Sequence, residues 1–483
     1  MSYGLAKLGH KGFMVMMRDK VLLLLVCVLM LIGIVSPMSV SAQAELSLDA
    51  AAAILVEQTT GRILYSRNPH ARMYPASTTK LLTALVAVAH LDLDTVVVIG
   101  PEIRQMPAGF ATNLHIEGEY ITVRMLLKAL LIRSSNEASR ILALETIRTI
   151  QDRQNIPYSE AKGQFSALMN ATARSLGTRG SNFNNPYGFH SEAHFTTAYD
   201  MALIARAFMS NPTLVELSAP RHFIGDGLEG RYYPDAIVRD YSLVNTNLML
   251  PGAQHGHPYI ISGRTGFTTP AGHCFVGAAY HNGLQLVAVV LNSGDITRWQ
   301  DTRVLLDYGF FNYEFRQITT PGMLLDTVEI ENPRLGDSNT LDILLPDVLP
   351  DGNTMLLSRA EYASLQRTIT FNPIFLVEHD GDYIKLRTSI EKGEQVGTVV
   401  YTVGSEVVLT TVAIASRYVA ERTFDTDMDY YMAIILNNIF TRRGLPYWFG
   451  FVGTIVGIVG ICIAISAKRN STDRPFAGRR RYR

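Results

Sequence analysis

The 483-residue chain is 47% hydrophobic and 18% charged, with a formal net charge of +0. That balance excludes a disordered chain, and the lack of a basic excess removes nucleic acid as a default partner. Of three cysteines, Cys27 and Cys462 sit in long apolar runs, so Cys274 is alone in the body and no intramolecular disulfide can form there.

Residues 21–36 form an uncharged apolar run behind Lys7, Lys11, Arg18 and Lys20. Small residues follow, with Val40 and Ala42 at cleavage-like positions, so residues 1–42 read as a signal peptide. An uncleaved N-terminal anchor is the alternative. Further on, Ala52–Val56 and Arg62–Tyr65 read as strands around Thr59-Thr60-Gly61. Lys80–Leu91 and Val123–Ile132 are apolar and unbroken, hence buried helices. Tyr199–Met209 carries Met201, Ile204, Ala205 and Phe208 on one helical face and stops at Asn211-Pro212. Cys274–Tyr280 and Leu284–Leu291 are strands joined by a turn containing Asn282-Gly283.

The texture changes near Phe315. Residues 316–423 hold many short strand-like runs separated by turn chemistry such as Lys392-Gly393-Glu394, the pattern of a small β-sandwich or barrel. Residues 424–446 read as a helical stalk. Residues 447–467 form an uncharged run long enough to span a bilayer, with Tyr447 and Trp448 at one edge and a basic tail, 468–483, behind it. Together with the export signal, this predicts a single-pass membrane protein whose body lies outside the cytoplasm.

Three short motifs carry candidate chemistry. Ser77 precedes Lys80 by three residues at a helix start, which puts both on one face. The positive helix end favours an oxyanion, and a desolvated lysine can serve the serine as base. Ser134-Ser135-Asn136 follows an apolar helix and offers a hydroxyl relay and an amide that can grip a peptide bond. Ser262 to Thr268, reading Ser-Gly-Arg-Thr-Gly-Phe-Thr, offers a cation and hydroxyls on an edge strand, with Gly263 and Gly266 permitting close approach of a substrate backbone. Each motif alone also fits an ordinary helix cap, helix junction or turn.

In this order, Ser-x-x-Lys, Ser-x-Asn and a basic residue followed by Thr-Gly form the set found in penicillin-binding proteins and class A β-lactamases. The chain resembles the serine-type D-alanyl-D-alanine carboxypeptidases, the low-molecular-mass penicillin-binding proteins. The likeness extends to Ala53–Val56 with Thr60–Tyr65, Asn184–Gly188, His194–Ala202 and Leu305–Phe310, and covers about residues 48–423. It implies an α/β (α+β) penicillin-binding/β-lactamase-like transpeptidase fold over 45–315, a C-terminal all-β domain over 316–423 and a C-terminal transmembrane helix.

The resemblance also implies roles. Ser77 matches the acylated nucleophile, Lys80 its base, Ser134 a proton relay and Asn136 a substrate-binding amide. Arg264, Thr265, Gly266 and Thr268 match the strand that holds the substrate's terminal carboxylate, and His194 matches more loosely a histidine near the site. The backbone N–H of Ser77, with one near Phe267 or Thr268, would form the oxyanion hole. Arg264 departs from the family's usual lysine; it keeps the charge but cannot transfer a proton. The implied partners are peptidoglycan stem peptides ending in D-Ala-D-Ala, β-lactams as inhibitors, and the membrane. Neither metal nor cofactor is called for. A β-lactamase is the first alternative. It is disfavoured because no glutamate between Asn136 and Arg264 has an asparagine four residues on. The second is a catalytically weak sensor of peptidoglycan or β-lactam.

Overall fold

A computed structural model describes residues 46–106, 110–348, 353–380, 383–439, 450, 452–461 and 463–464. The expected signal peptide lies outside them. The chain divides into two compact units, one ending at Phe311 and the other beginning at Asn312.

The first unit is built on a five-stranded antiparallel sheet. Its strands are β1 (Ala52–Glu57), β2 (Ile63–Arg67), β3 (Ile260–Thr268), β4 (Gly272–His281) and β5 (Leu284–Ser293). The spatial order is β2-β1-β5-β4-β3, so β3 forms an edge. All six residues of β1 are buried, which requires cover on both faces of the sheet. One face meets α1 (Lys80–His90) and α5 (Ala198–Met209). There Ile54, Val56, Cys274 and Val289 pack with Leu82, Val86, Met201 and Ile204. The other face meets α6 (Thr297–Asn312), where Gly309 approaches Leu55 and Leu286 so closely that a Cβ would stand 2.9 and 2.5 Å from them.

Three further helices complete the apolar side: α2 (Val123–Lys128), α3 (Asn136–Gln151) and α4 (Tyr158–Ser175). The expected helix over Val123–Ile132 is in fact two pieces, because a π-helical turn, Ala129–Arg133, replaces its last part. Such widened turns concentrate at functional sites. Asn211 does more than end α5. Its side chain caps a short helix, Pro212–Ser218, with proline in the first turn, where its missing N–H costs nothing.

In the second unit, seven strands form one sheet in the order 365–371, 395–403, 406–415, 340–344, 324–330, 383–386, 376–380. Every pairing is antiparallel except 324–330 with 383–386. A two-stranded ribbon joins 313–317 to 354–358. Alternating positions such as Val328, Ile330, Leu341 and Ile343 bury one face. Phe424–Ile439 is a helix with Phe424, Tyr431, Ile435 and Leu436 exposed. Among the described residues no helix is long and apolar enough to cross a membrane. Residues 452–461, inside the expected spanning run, are helical, and most of the rest of that run lies outside the described residues.

Candidate active site

Ser77 lies in a 3₁₀ turn, Ala76–Thr79, that feeds directly into α1 at Lys80. Ala76 is buried and holds φ 46°, a left-handed conformation that an alanine adopts only under constraint. The three-residue spacing stacks the two side chains, and Lys80 Nζ stands 2.9 Å from Ser77 Oγ. Lys80 is fully buried. Its amine donates to Asn136 Oδ1 at 2.7 Å and to the Tyr187 carbonyl at 2.9 Å, and no carboxylate pairs with it among the described residues. Burial first, and the Arg264 charge second, hold its pKa well below the usual lysine value, against a smaller opposing pull from Glu137. A neutral amine within hydrogen-bond reach of a serine hydroxyl can take its proton.

The second motif follows the π-helical turn. Ser134 closes that turn at φ 66°, and Ser135 caps α3 by accepting the Ala138 N–H at 3.1 Å. Asn136, the first residue of α3, thereby faces Lys80. Its Nδ2 donates to the Phe110 carbonyl at 2.7 Å. The Ser134 hydroxyl has no hydrogen bond to Ser77 or Lys80 among the described residues.

The third motif differs from expectation at Arg264 and Thr268, and so does His194, which lies outside it. Arg264 is 1% exposed, and its guanidinium donates to the carbonyls of Leu131 (2.7 Å) and Leu130 (3.2 Å) and to Thr246 Oγ1 (3.2 Å). The cation therefore plugs the carbonyl end of the π-helical turn instead of presenting an open fork to a carboxylate. Burial lowers its pKa to about 9, so it stays charged at neutral pH. Thr268 is largely buried and accepts the Ala271 N–H at 3.2 Å, which makes it a turn builder. His194 is 1% exposed and so is out of a substrate's reach. Its Nδ1 accepts the Asn184 N–H at 3.1 Å, which leaves Nε2–H to donate to Thr79 Oγ1 at 2.8 Å behind the helix start. Burial pushes this imidazole down to about 3, so it is neutral. Thr265 is half-buried, with its hydroxyl on Thr246 Oγ1 at 3.0 Å. Gly266 lies against the serine: a Cβ there would meet Pro75 O at 2.8 Å and the Ser77 nitrogen at 3.0 Å.

Two contributions were given no role by the sequence, although the first lies in the Asn184–Gly188 segment of the likeness. The Tyr187 carbonyl that receives Lys80 belongs to a loop shaped by Asn185, whose Oδ1 accepts the N–H groups of Gly188 (2.8 Å) and Phe189 (2.9 Å). Glu137, beside Asn136, is the other. Burial would raise its carboxyl, but hydrogen bonds from Thr112 and Asn113 outweigh that and hold it below the ordinary glutamate range. Gly188 carries the tightest constraint: at φ 83°, a Cβ would stand 1.8 Å from the Ala76 carbonyl oxygen. Gly188→Ala is expected to cost several kcal/mol, because both the backbone conformation and the space forbid the methyl group. A thermal melt beside the parent checks this, and an unchanged melting temperature refutes it.

A helix-borne serine with a buried lysine one turn on, facing an edge strand, defines a serine peptidase of the transpeptidase fold. The chain belongs to the D-alanyl-D-alanine carboxypeptidase family, whose profile matches residues 38–295. It is 29% identical over 275 residues to the D-alanyl-D-alanine carboxypeptidase DacF of Bacillus subtilis, covering 56% of this chain and 64% of that one. It is 30% identical over 263 residues to DacB2 of Mycobacterium tuberculosis, covering 53% and 81%. The crystal structure of DacD from Francisella tularensis shares the fold, with a TM-score of 0.55 at 23% identity over 80% of this chain and 98% of that one.

Proposed function

We propose that the chain is an exported, membrane-anchored D,D-carboxypeptidase that removes the terminal D-alanine from peptidoglycan stem peptides. The observation that carries this reading is the 2.9 Å contact between Ser77 Oγ and a buried Lys80 that has no carboxylate partner among the described residues. Lys80 takes the hydroxyl proton as Oγ attacks the carbonyl carbon of the penultimate residue. The Ser77 N–H and one on β3 near Phe267 receive the developing oxyanion. The peptide C–N bond then breaks, and the departing D-alanine amine receives the proton that Lys80 took up. Water completes the turnover by hydrolysing the Ser77 ester. Thr265 and the positive field of buried Arg264 favour the substrate's terminal carboxylate. A β-lactam, which mimics that terminus, would acylate Ser77 by ring opening. The β-lactamase reading gains nothing from Glu137, whose oxygens are engaged by Thr112, Asn113 and Ser135.

The test is incubation with a fluorescent penicillin followed by mass mapping. A covalent adduct on the peptide containing Ser77, with D-alanine release from a D-Ala-D-Ala peptide, is expected. No adduct, or an adduct elsewhere, rejects the reading.

The anchor rests on the uncharged run 447–467 and the basic tail behind it. A chain truncated after Thr441 is expected to leave the membrane fraction and keep its activity. Continued pelleting would place the anchor elsewhere, at the N-terminus.

A further inference from the structure

The amide that the family resemblance assigns to substrate binding, Asn136, is already engaged by the chain itself. Asn136 Nδ2 gives one of its two hydrogens to the Phe110 carbonyl at 2.7 Å, while Asn136 Oδ1 receives Lys80. Nothing about Phe110 as a residue requires this bond; the segment after it is what holds the carbonyl there. Glu137 accepts the N–H of Thr112 at 2.6 Å and of Asn113 at 2.9 Å, and also the Thr112 hydroxyl. Asn113 turns the chain at φ 52°. Residues 111–113 are exposed, whereas the carboxylate beneath them is 3% exposed, so the segment covers its own anchor. At the opposite wall, the Phe110 ring meets Phe189 edge to face, centroids 4.6 Å apart at 84°. Phe189 belongs to the Asn185-shaped loop that carries the Tyr187 carbonyl. The ring pair therefore bridges the two loops whose carbonyls bracket Lys80 and Asn136.

We propose that Phe110–Asn113 is a strap, latched by Glu137 and seated on Phe189, that occupies the place of the substrate's amide carbonyl and must yield for acylation. This rests on the carboxypeptidase reading. A peptide whose carbonyl takes the particular Asn136 hydrogen now given to Phe110 must displace that carbonyl, because each N–H satisfies one acceptor well. The strap then acts as a selectivity filter: ligands pay for parting the ring pair, and those with a large group beside the reacting carbonyl need it parted furthest. Phe110 and Glu137 are positioning residues in this account.

The experiment compares the parent, Phe110→Ala and Glu137→Gln. Acylation by benzylpenicillin is measured beside acylation by a penicillin carrying a bulky dye on its acylamino arm. Labelling of the parent at Ser77 establishes that the underlying reading holds, and its absence would sink that reading and not the strap alone. Phe110→Ala is expected to raise the second-order acylation rate about two- to tenfold, the range of one aromatic pair, with the larger gain for the dye-bearing probe. Glu137→Gln keeps the volume but offers one acceptor oxygen to donors that now share two, and it should act in the same direction. Its lost charge also lowers the Lys80 pKa further, so Phe110→Ala, which leaves that charge in place, separates the two effects. On a D-Ala-D-Ala peptide the gain should fall in KM with kcat unchanged, which a merely structural role would not produce. If Glu137→Gln fails to fold, Phe110→Ala decides. Variants with the parent's melting temperature but equal or slower labelling of both probes overturn the strap, since the segment would then be supporting Asn136 for catalysis.

Discussion

Ser77→Ala is expected to fold like the parent and to lose covalent penicillin labelling completely, while Lys80→Ala keeps the serine but slows labelling by about 10²–10⁴-fold, the usual contribution of a positioned base. Stopped-flow or gel-based labelling across pH checks both. Labelling of Ser77→Ala at full strength would remove the nucleophile from its role. The pH dependence has a definite sign. Lys80 must be neutral to accept a proton, so acylation rises as pH climbs through its lowered pKa. Stability moves the same way. The unfolded chain binds the lysine proton up to the ordinary value near 10.5, whereas the folded chain releases it earlier, so between the two the parent gains stability as pH rises. A Lys80→Met variant lacks that titration, and its stability relative to the parent should therefore fall steadily as pH rises through this window. A constant difference would mean that Lys80 is charged in the folded protein.

Arg264→Ala carries the second large effect, for two separable reasons. It strips the carbonyls of Leu130 and Leu131 of their donor in a dry site, at about 1–3 kcal/mol for each orphaned acceptor. It also removes the cation that helps keep Lys80 neutral, so the acid limb of the acylation profile should move to higher pH. Arg264→Lys keeps the charge and can reach one carbonyl. Its activity should stay within about tenfold, or 1.4 kcal/mol, with the limb nearly in place. An Arg264→Ala enzyme with the parent's rate and pH profile would reduce the residue to packing.

Much of the scaffold could be read from residue order. The unbroken apolar run after Lys80 becomes α1, and the runs flanking Asn282-Gly283 become β4 and β5. Helix α3 was hidden because its inward faces include Glu137, Ser139, Arg140 and Thr146, which erase the usual apolar stripe. Spacing alone paired Ser77 with Lys80, since one helical turn fixes that geometry. Arg264 could be placed on β3 but not aimed: a long side chain on an edge strand can point to the cleft or back beneath it, and the π-helical turn that attracts it arises from tertiary packing. His194 misled because a polar ring in a site segment looks the same in sequence whether it faces ligand or supports a backbone. Tyr187 lies in a segment of the likeness, Asn184–Gly188, but neither its carbonyl nor that of Phe110 could be picked out, because main-chain atoms have no residue signature.

The edge position of β3 has a consequence for solubility. A strand of nine residues whose outer rim pairs with no other strand among the described residues is an invitation to any extended polypeptide, including another molecule of the same protein. Here that rim is guarded from inside the fold. Gly266 lets the helix start at Ser77 crowd against the strand, and Arg264 sends a full charge inward from the middle of it. A second copy approaching broadside would meet the helix start beside Gly266, whereas a single extended peptide threaded end-on would not. Concentrated stocks of Arg264→Leu, which fills the space but lacks the charge, should therefore self-associate sooner than the parent, as light scattering can follow.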